Sequence, residues 1–173
     1  MSGGILALDI ATQLGFALER PGQRPIHGSV NLRSVSSHPG AVYCVLADWL
    51  FPLMDLHQPE RVIFESPLMI MPERDGKMGG NPKTLRRLIT MPGVVEMLTC
   101  RLDIPVTEAA SQTARRFFCG SGRADKEAVI AECFRRGLTP QDNNDADALC
   151  LLLYAVNLFA PQRYQHVFRE SAL

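Results

Sequence analysis

The amino-acid sequence predicts a single α/β domain built on a mixed five-stranded sheet flanked by helices. The chain has 173 residues, which is enough for one compact domain and too few for two of ordinary size. Hydrophobic residues make up 46% of it and charged residues 21%, a composition typical of globular proteins. Three strand patterns come first and are followed by strands that alternate with helices, as in a mixed sheet with helices packed on it. We expect this domain to span residues 1–160, followed by a C-terminal tail over 161–173.

The first 32 residues predict three consecutive strands. The apolar run Ile5–Leu8 ends at Asp9, and a second run begins after Gly15. Glu19–Gly22 has the composition of a turn, and Ile26–Leu32 supplies the third strand. This part of the chain is therefore interpreted as a strand meander.

A helix, a buried strand and a loop are predicted next. Apolar residues in Gly40–Leu56 recur at helical spacing, and Pro52 is expected to end or bend that helix. Arg61–Glu65 is a continuous apolar run between charged residues, the pattern of a buried strand. The segment Leu68–Gly80 is rich in Gly and Met without a period, which predicts a mobile loop.

A long helix and the fifth strand follow. Asn81 before Pro82 is typical of a helix start, and the helix is expected to reach Leu102 with a kink at Pro92. Ile104–Glu108 is the last predicted strand.

Three shorter helical patterns complete the chain. Ser111 is the expected cap of a helix that ends at Gly120, and Asp125 that of a helix that ends at Gly137. Asn144–Ala160 is a strongly apolar helix before a proline.

Composition disfavours several protein classes. The longest apolar stretches, such as Leu149–Tyr154, are far shorter than the roughly 18–20 residues of a membrane span. The N-terminal residues lack the basic segment of a secretory signal. The five cysteines form no CxxC pair and the four histidines no HxxxH pair, which disfavours a disulfide framework and a zinc site. We therefore expect a cytoplasmic protein without a membrane partner.

Positive charge is concentrated in one part of the chain. Lys+Arg and Asp+Glu are equal at 18 each, but residues 77–126 contain nine basic and four acidic residues. Arginine and lysine of this kind suit contacts with phosphate, although arginine is equally common in structural ion pairs.

Acidic residues stand where predicted strands end and the last helix begins. Asp9 and Glu65 each end a strand, and Asp142, Asp145 and Asp147 surround the start of the last helix. Any one of them is explained more simply as a turn, cap or solvated residue. Strand ends and helix starts converge at the sites of α/β sheets, however, and grouped carboxylates favour a divalent ion between them. Oxygen ligands alone suit Mg²⁺ or Mn²⁺.

Four segments, in order, resemble the motifs of RuvC-type Holliday junction resolvases. Ile5–Ala17 has an apolar strand, an aspartate and a second strand that starts at glycine, and Val62–Glu65 is a strand that ends in glutamate. Gly120–Val129 resembles the Gly-rich turn and catalytic lysine of that family, and Asp142–Leu149 its last motif. The resemblance extends over about residues 5–155 and implies a ribonuclease H-like fold.

The resemblance also implies metal-dependent hydrolysis of DNA phosphodiesters by two Mg²⁺ ions, for which Mn²⁺ could substitute. Asp9 would bridge both ions, and Glu65 and Asp147 would each complete one. Lys126 would stabilise negative charge on the scissile phosphate. The alternative for Lys126 is a solvated lysine in the first turn of a helix.

The fourth carboxylate departs from the family pattern. The family commonly has two acids three residues apart on its last helix, but the residue three before Asp147 is Asn144. Asp145 is the expected replacement, with Asp142 as the alternative. Asp145 and Asp147 are about 200° apart on a regular helix, so this assignment requires an irregular first turn.

A four-way junction is two-fold symmetric, so resolving it with two coordinated cuts suggests a homodimer with two equivalent sites. The predicted helix Asn81–Leu102 has more apolar positions than one core-facing stripe needs, and its surplus face is the candidate dimer surface. The alternative is that both faces are buried within one domain. The residues expected to contact the DNA backbone are Lys77, Lys83, Arg86, Arg87 and Arg123.

Other functions stay open. The aromatic residue that the family often has shortly after its second motif is missing here, so a nuclease acting on other branched or hybrid nucleic acids is the first alternative. A catalytically silent DNA-binding protein is the second, because of Asn144. An actin-like nucleotide-binding protein is less favoured, because such proteins clamp a nucleotide between two domains of this kind.

Overall fold

The computed structural model describes residues 3–34, 36–66, 73–74, 77–78 and 82–167, with residues 73–74, 77–78, 82–84 and 166–167 described by their backbone alone. The elements in chain order are β1 (Ile5–Asp9), β2 (Gln13–Arg20), β3 (Gln23–Asn31), α1 (Ala41–His57), β4 (Arg61–Glu65), β5 (Glu73–Arg74), β6 (Lys77–Met78), α2 (Pro82–Arg101), β7 (Val106–Ala109), α3 (Ser111–Cys119), α4 (Lys126–Arg135), α5 (Asn143–Phe159) and a 3-10 helix (Pro161–Val167).

The five long strands form one mixed sheet in the order β3-β2-β1-β4-β7. β1 pairs antiparallel with β2, which pairs antiparallel with β3. β1 also pairs parallel with β4, and β4 with β7. The predicted meander and the mixed five-stranded sheet are therefore confirmed, and β1 lies at the centre of the sheet.

Alternate residues of β1 face two separate hydrophobic cores. Ile5 and Ala7 belong to the core built with α3, α4 and α5, whereas Leu6 and Leu8 belong to the core built with α1 and α2. Because side chains alternate along a strand, Asp9 continues on the side of Ile5 and Ala7. Ile63 of β4 lies in the same core, which places Glu65 on that side as well. The two acids that end β1 and β4 therefore face α5.

Helix α5 is apolar because it is the central layer on that face. Its residues from Ala148 to Val156 are buried except Tyr154, and burying each leucine contributes roughly 1.5–3 kcal/mol. The helix begins directly against β2, since a Cβ atom at Gly15 would lie 2.0 Å from the carbonyl oxygen of Asn144. Only glycine allows this approach. The contact fixes the first turn of α5 next to the end of β1, because Gly15 is the register partner of Asp9.

Three local predictions are corrected. Pro52 does not end α1, which continues to His57. The segment predicted as the loop Leu68–Gly80 contains the antiparallel pair β5–β6, and its other residues lie outside the described ones. Ser111 is the first residue of α3 and not its cap, because the capping position is Ala110 and no side chain bonds there.

The first residues of the predicted C-terminal tail form the 3-10 helix Pro161–Val167, which packs on the rest of the domain. The ring of Tyr164 packs edge-on against Phe117 with 5.7 Å between centroids. Arg163 pairs with the buried carboxylate of Glu19 at 3.2 Å and with Glu60. The 3-10 helix therefore ties the end of the fold to β2 and to the segment before β4. In the part of the chain that the structure describes, no helix is long and apolar enough to cross a membrane.

Candidate active site

Asp9, Glu65 and Asp147 form one carboxylate cluster where β1, β4 and α5 meet. Asp147 is one turn inside α5, on the face that covers the sheet. Burial, together with the negative charges of Glu65 and Asp147, raises the pKa of Asp9 to about 7. The positive charges of Lys126 and Arg115 act in the opposite direction. Three acids and two cations from five elements therefore share one electrostatic environment.

Glu65 has a partner that explains why Ser111 does not cap α3. The pKa of Glu65 is raised, mainly by burial and also by the charge of Asp147. A hydrogen bond from the Ser111 hydroxyl and the charge of Arg115 act to lower it. Ser111 thus donates to the cluster and not to the end of its own helix. This contact orients the Glu65 carboxylate at the edge of the sheet.

Arg115 is a member of the site that the sequence did not single out. Its Nη2 donates to Oδ1 of Asp147 at 2.8 Å, and its Nη1 donates to the carbonyl oxygen of Ala124 at 3.1 Å. Its Nε is buried and has no hydrogen-bond partner among the described residues. The available signal was the spacing of four from Ser111, which puts both side chains on one face of α3. Arg115 links Asp147 to the turn that carries Lys126.

Lys126 is the exposed first residue of α4, and its charge lowers the pKa of Asp9. Asp125 caps this helix as predicted, since its Oδ1 accepts from the backbone N–H of Ala128 at 2.8 Å. Val129 and Cys133 of α4 are buried, whereas Phe134 is 56% exposed. The effect of Lys126 on Asp9 is electrostatic.

Asp145 lies in a different environment from Asp147. Its side chain is fully buried, and both carboxylate oxygens lie 2.8–3.0 Å from Nδ1 of His27 on β3. The backbone N–H of Gln141 donates to it at 2.8 Å. Because the carboxylate only accepts, the His27 proton is assigned to Nδ1. Among the described residues, the carboxylate of Asp145 is hydrogen-bonded to β3 and to the turn before α5.

Asp142 is the N-cap of α5. It accepts from the backbone N–H of Asp145 at 2.9 Å and from the Ser29 hydroxyl. The structure therefore does not bring Asp145 or Asp142 together with Asp9, Glu65 and Asp147. The first turn of α5 is regular, so residues two apart point to opposite sides of the helix. The expected fourth ligand, Asp145 with Asp142 as the alternative, does not agree with these contacts.

The donor atoms of the cluster suit a divalent metal ion. Three carboxylates are the donors that Mg²⁺ or Mn²⁺ accepts, and burial with the charges of Glu65 and Asp147 raises the pKa of Asp9. As the side chains stand, no group of three or more His, Cys, Asp or Glu residues in the described ranges is arranged to hold a metal ion. Arg115 instead supplies the positive charge beside Asp147. The donor chemistry fits a divalent ion, and binding one would require these side chains to rearrange.

The residues predicted to contact DNA are only partly described. Arg86 and Arg87 are exposed in the first turns of α2, and Arg123 is exposed in the turn before α4. The backbone of Lys77 lies in β6 and that of Lys83 in α2, but their side chains lie outside the described ones. Contact with DNA stays a prediction for all five.

No protein-family model and no curated protein sequence matches the chain. Solved structures do match. RuvC of Thermus thermophilus is 17% identical with a TM-score of 0.68, over 90% of this chain and 95% of that one. The same protein in complex with a Holliday junction substrate matches with the same identity and TM-score, over 87% and 90%.

The yeast mitochondrial Holliday junction resolvase Ydc2 is 10% identical with a TM-score of 0.59, over 86% of this chain and 75% of that one. At these identities the likeness concerns the fold. The chain thus has the ribonuclease H-like fold of the RuvC type, as the sequence motifs implied.

Proposed function

We propose that this chain is a metal-dependent endonuclease that cuts branched DNA, with four-way junctions as its substrate. The observation that carries the proposal is the convergence of Asp9, Glu65 and Asp147 beside Lys126 and Arg115. Such a grouping is costly for folding, because burial and mutual repulsion both oppose the charged form of Asp9. The similarity in fold to two junction resolvases supports the choice of substrate.

In this proposal Asp9, Glu65 and Asp147 hold Mg²⁺, with Mn²⁺ as a substitute. The bound metal would activate water and stabilise the leaving 3′ oxygen. Ser111 keeps the Glu65 carboxylate oriented by its hydrogen bond. Lys126 and Arg115 place two positive charges next to the acids, where negative charge develops on a scissile phosphate.

The proposed assembly is a homodimer formed through α2. Met91, Val95 and Leu98 of this helix are buried in the core, whereas Leu88, Ile89 and Met97 are 39–49% exposed. These three partly exposed side chains are the apolar positions of α2 that support the proposed dimer contact. A two-fold dimer would place two sites on one junction, as two coordinated cuts require.

The test is a cleavage panel of four-way junction, flap, RNA–DNA hybrid and linear duplex with Mg²⁺, Mn²⁺ or EDTA. We expect metal-dependent cutting of the junction in preference to the others, and a dimer by light scattering. The Asp9→Asn variant should be inactive, while Asp48→Asn, an exposed acid on α1, should cut normally. A monomer that cuts flaps as readily as junctions would reject the junction as substrate.

A second function is favoured by one observation. Arg115 pairs with Oδ1 of Asp147 and partly neutralises its charge without a metal, and Asn144 stands where the resolvase motif has an acid. These features fit a DNA-binding protein without catalysis. Calorimetric titration with Mg²⁺ and Mn²⁺ separates the two functions, because the silent protein would bind junction DNA but no metal at Asp9.

A further inference from the structure

A second cationic feature lies on the other side of the β1–β2 turn from the carboxylate cluster. A polar cavity of about 320 Å³ is lined by Arg33, His38 and Arg87, together with Thr12, Ser34 and Ser36. It lies between the segment after β3, the start of α1 and the first turns of α2. The volume is enough for a tetrahedral anion and several waters of about 30 Å³ each.

The chemistry of this lining selects an anion. Two guanidinium groups from different elements face one space, and none of its described lining residues is acidic. The other described cavities near α1 differ, because one contains Asp48 and the other Glu19. Arginine presents a planar fork of N–H donors that matches phosphate oxygens.

His38 adds a neutral donor to the same space. Its Nδ1 accepts from the backbone N–H of Gly40 at 3.1 Å, so the proton of the neutral ring is on Nε2. Gly40 is the N-cap of α1 and makes no side-chain capping bond. The N–H groups of Ala41 and Tyr43 at the start of this helix bond to the carbonyl oxygens of His38 and Gly40, so the cavity depends on side-chain donors.

The position of the cavity connects it with the candidate active site. Thr12 is three residues after Asp9 in the β1–β2 turn, and its carbonyl oxygen accepts from the backbone N–H of Leu32 at 2.8 Å. Three residues span at most about 10 Å. The Cα atoms of Asp9 and Thr12 are therefore close together, and Thr12 connects the cavity with the strand that carries Asp9.

We propose that this cavity binds one phosphate of the DNA backbone through Arg33 and Arg87 jointly. The proposal rests on the proposed function for its ligand, but it concerns binding and not cleavage. It assigns Arg87 to one shared phosphate site with Arg33, a residue that the basic segment 77–126 does not include. The site would fix the register of the strand relative to Asp9 without reading bases.

The test is a double-mutant cycle in EDTA, measured by fluorescence anisotropy with a labelled four-way junction and the full chain. The variants are Arg33→Gln, Arg87→Gln and their combination. The matched control is Arg20→Gln, at the far end of β2 from Thr12. We expect each single variant to weaken binding several-fold and the double variant to add little, because both arginines share one phosphate.

The salt dependence gives an independent measure. The slope of log K against log salt should become shallower by about 1 in the double variant, as for one lost phosphate contact, and stay unchanged in Arg20→Gln. If the losses of binding were additive and the slope changed by about 2, the two arginines would make separate surface contacts, and the shared site would be overturned. Unchanged binding in the double variant would overturn it as well.

Titration with inorganic phosphate, followed by the NMR signals of the His38 ring, distinguishes the source of the anion. We expect weak binding that a junction displaces and that the double variant loses. Tight binding of free phosphate that excludes the junction would reject the DNA assignment. None of these measurements needs cleavage. A protein that cuts no DNA but shows the expected double-mutant cycle would therefore contradict the proposed nuclease activity and still support the phosphate site.

Discussion

Asp145 and Asp147 lie two residues apart on one helix, yet they occupy opposite kinds of environment. Asp145 is fully buried and satisfied, because His27 and the backbone of Gln141 both donate to it. Asp147 is 12% exposed and lies beside Glu65 and Asp9, with Arg115 as its partner. A buried acid with complete partners stabilises the fold, whereas acids grouped with like charges destabilise it. The comparison separates a structural carboxylate from candidate functional ones.

The largest expected effect is on DNA cleavage, after substitution of the three carboxylates of the cluster. Asp9→Asn, Glu65→Gln and Asp147→Asn should each lower junction cleavage by at least about 100-fold, because each removes a proposed metal ligand. Circular dichroism should show an unchanged fold, and Asp145→Asn should keep normal turnover per folded molecule. Full activity of one of the three in Mg²⁺ would remove that residue from the site.

The next effect is a pH-dependent change in the free energy of unfolding. The pKa of Asp9 is raised to about 7 by burial and by its acidic neighbours, so the folded chain prefers the protonated acid. Stability from this preference is fully present below about pH 3.8 and is lost as pH rises through about 7. Asp9→Asn removes this loss.

Urea unfolding in EDTA would measure this pH dependence of the free energy of unfolding. The stability of Asp9→Asn relative to the parent should increase between pH 4 and pH 8, by up to about 4 kcal/mol. The Asp48→Asn variant should show no such trend. A constant difference at both pH values would mean that the charge of Asp9 is already balanced.

For Asp145, the structural carboxylate, we expect substitution to lower folding stability without lowering cleavage. Asp145→Asn should lower the free energy of unfolding by about 1–3 kcal/mol, since His27 and the Gln141 N–H lose a charged acceptor. Thermal unfolding would show it, with Asp147→Asn as the matched variant on the same helix. If Asp145→Asn abolished metal binding and kept its stability, the roles of the two acids would be exchanged.

The smallest effect is expected at Asp142. Removing an N-cap side chain typically costs about 1 kcal/mol, so Asp142→Ala should lower the melting temperature slightly. Cleavage should stay normal, because its carboxylate faces Ser29 and the α5 backbone. A loss of cleavage as large as that of Asp147→Asn would return Asp142 to the candidate metal site.

The sequence predicted the parts of the site that depend on local order. Asp9 and Glu65 end apolar strands, and a continuous strand pattern places its last residue at the sheet edge. Asp125 and Lys126 follow a Gly-rich turn, so their position at a helix start was visible. The order of strands and helices was sufficient for the mixed sheet.

Pairings between distant elements could not be predicted in this way. His27 belongs to an edge strand with no acidic neighbour in sequence, and its contact with Asp145 depends on how α5 crosses β3. Arg115 was one of several arginines, and only the packing of α3 against α5 selects it. Pro52 was expected to end or bend α1; it does not end it, because tertiary packing overrides a local preference.

Gly15 and its contact with Asn144 have a consequence for synthesis of the chain. The strand that carries Asp9 is made before the helix that covers it. Until α5 has left the ribosome, the inner face of β1 and β2 has no cover, and Asp9 has no Asp147 beside it. A nascent chain therefore cannot assemble the carboxylate cluster. Truncation before residue 143 should yield an aggregating product with no partial activity, because the apolar face of the sheet would stay exposed.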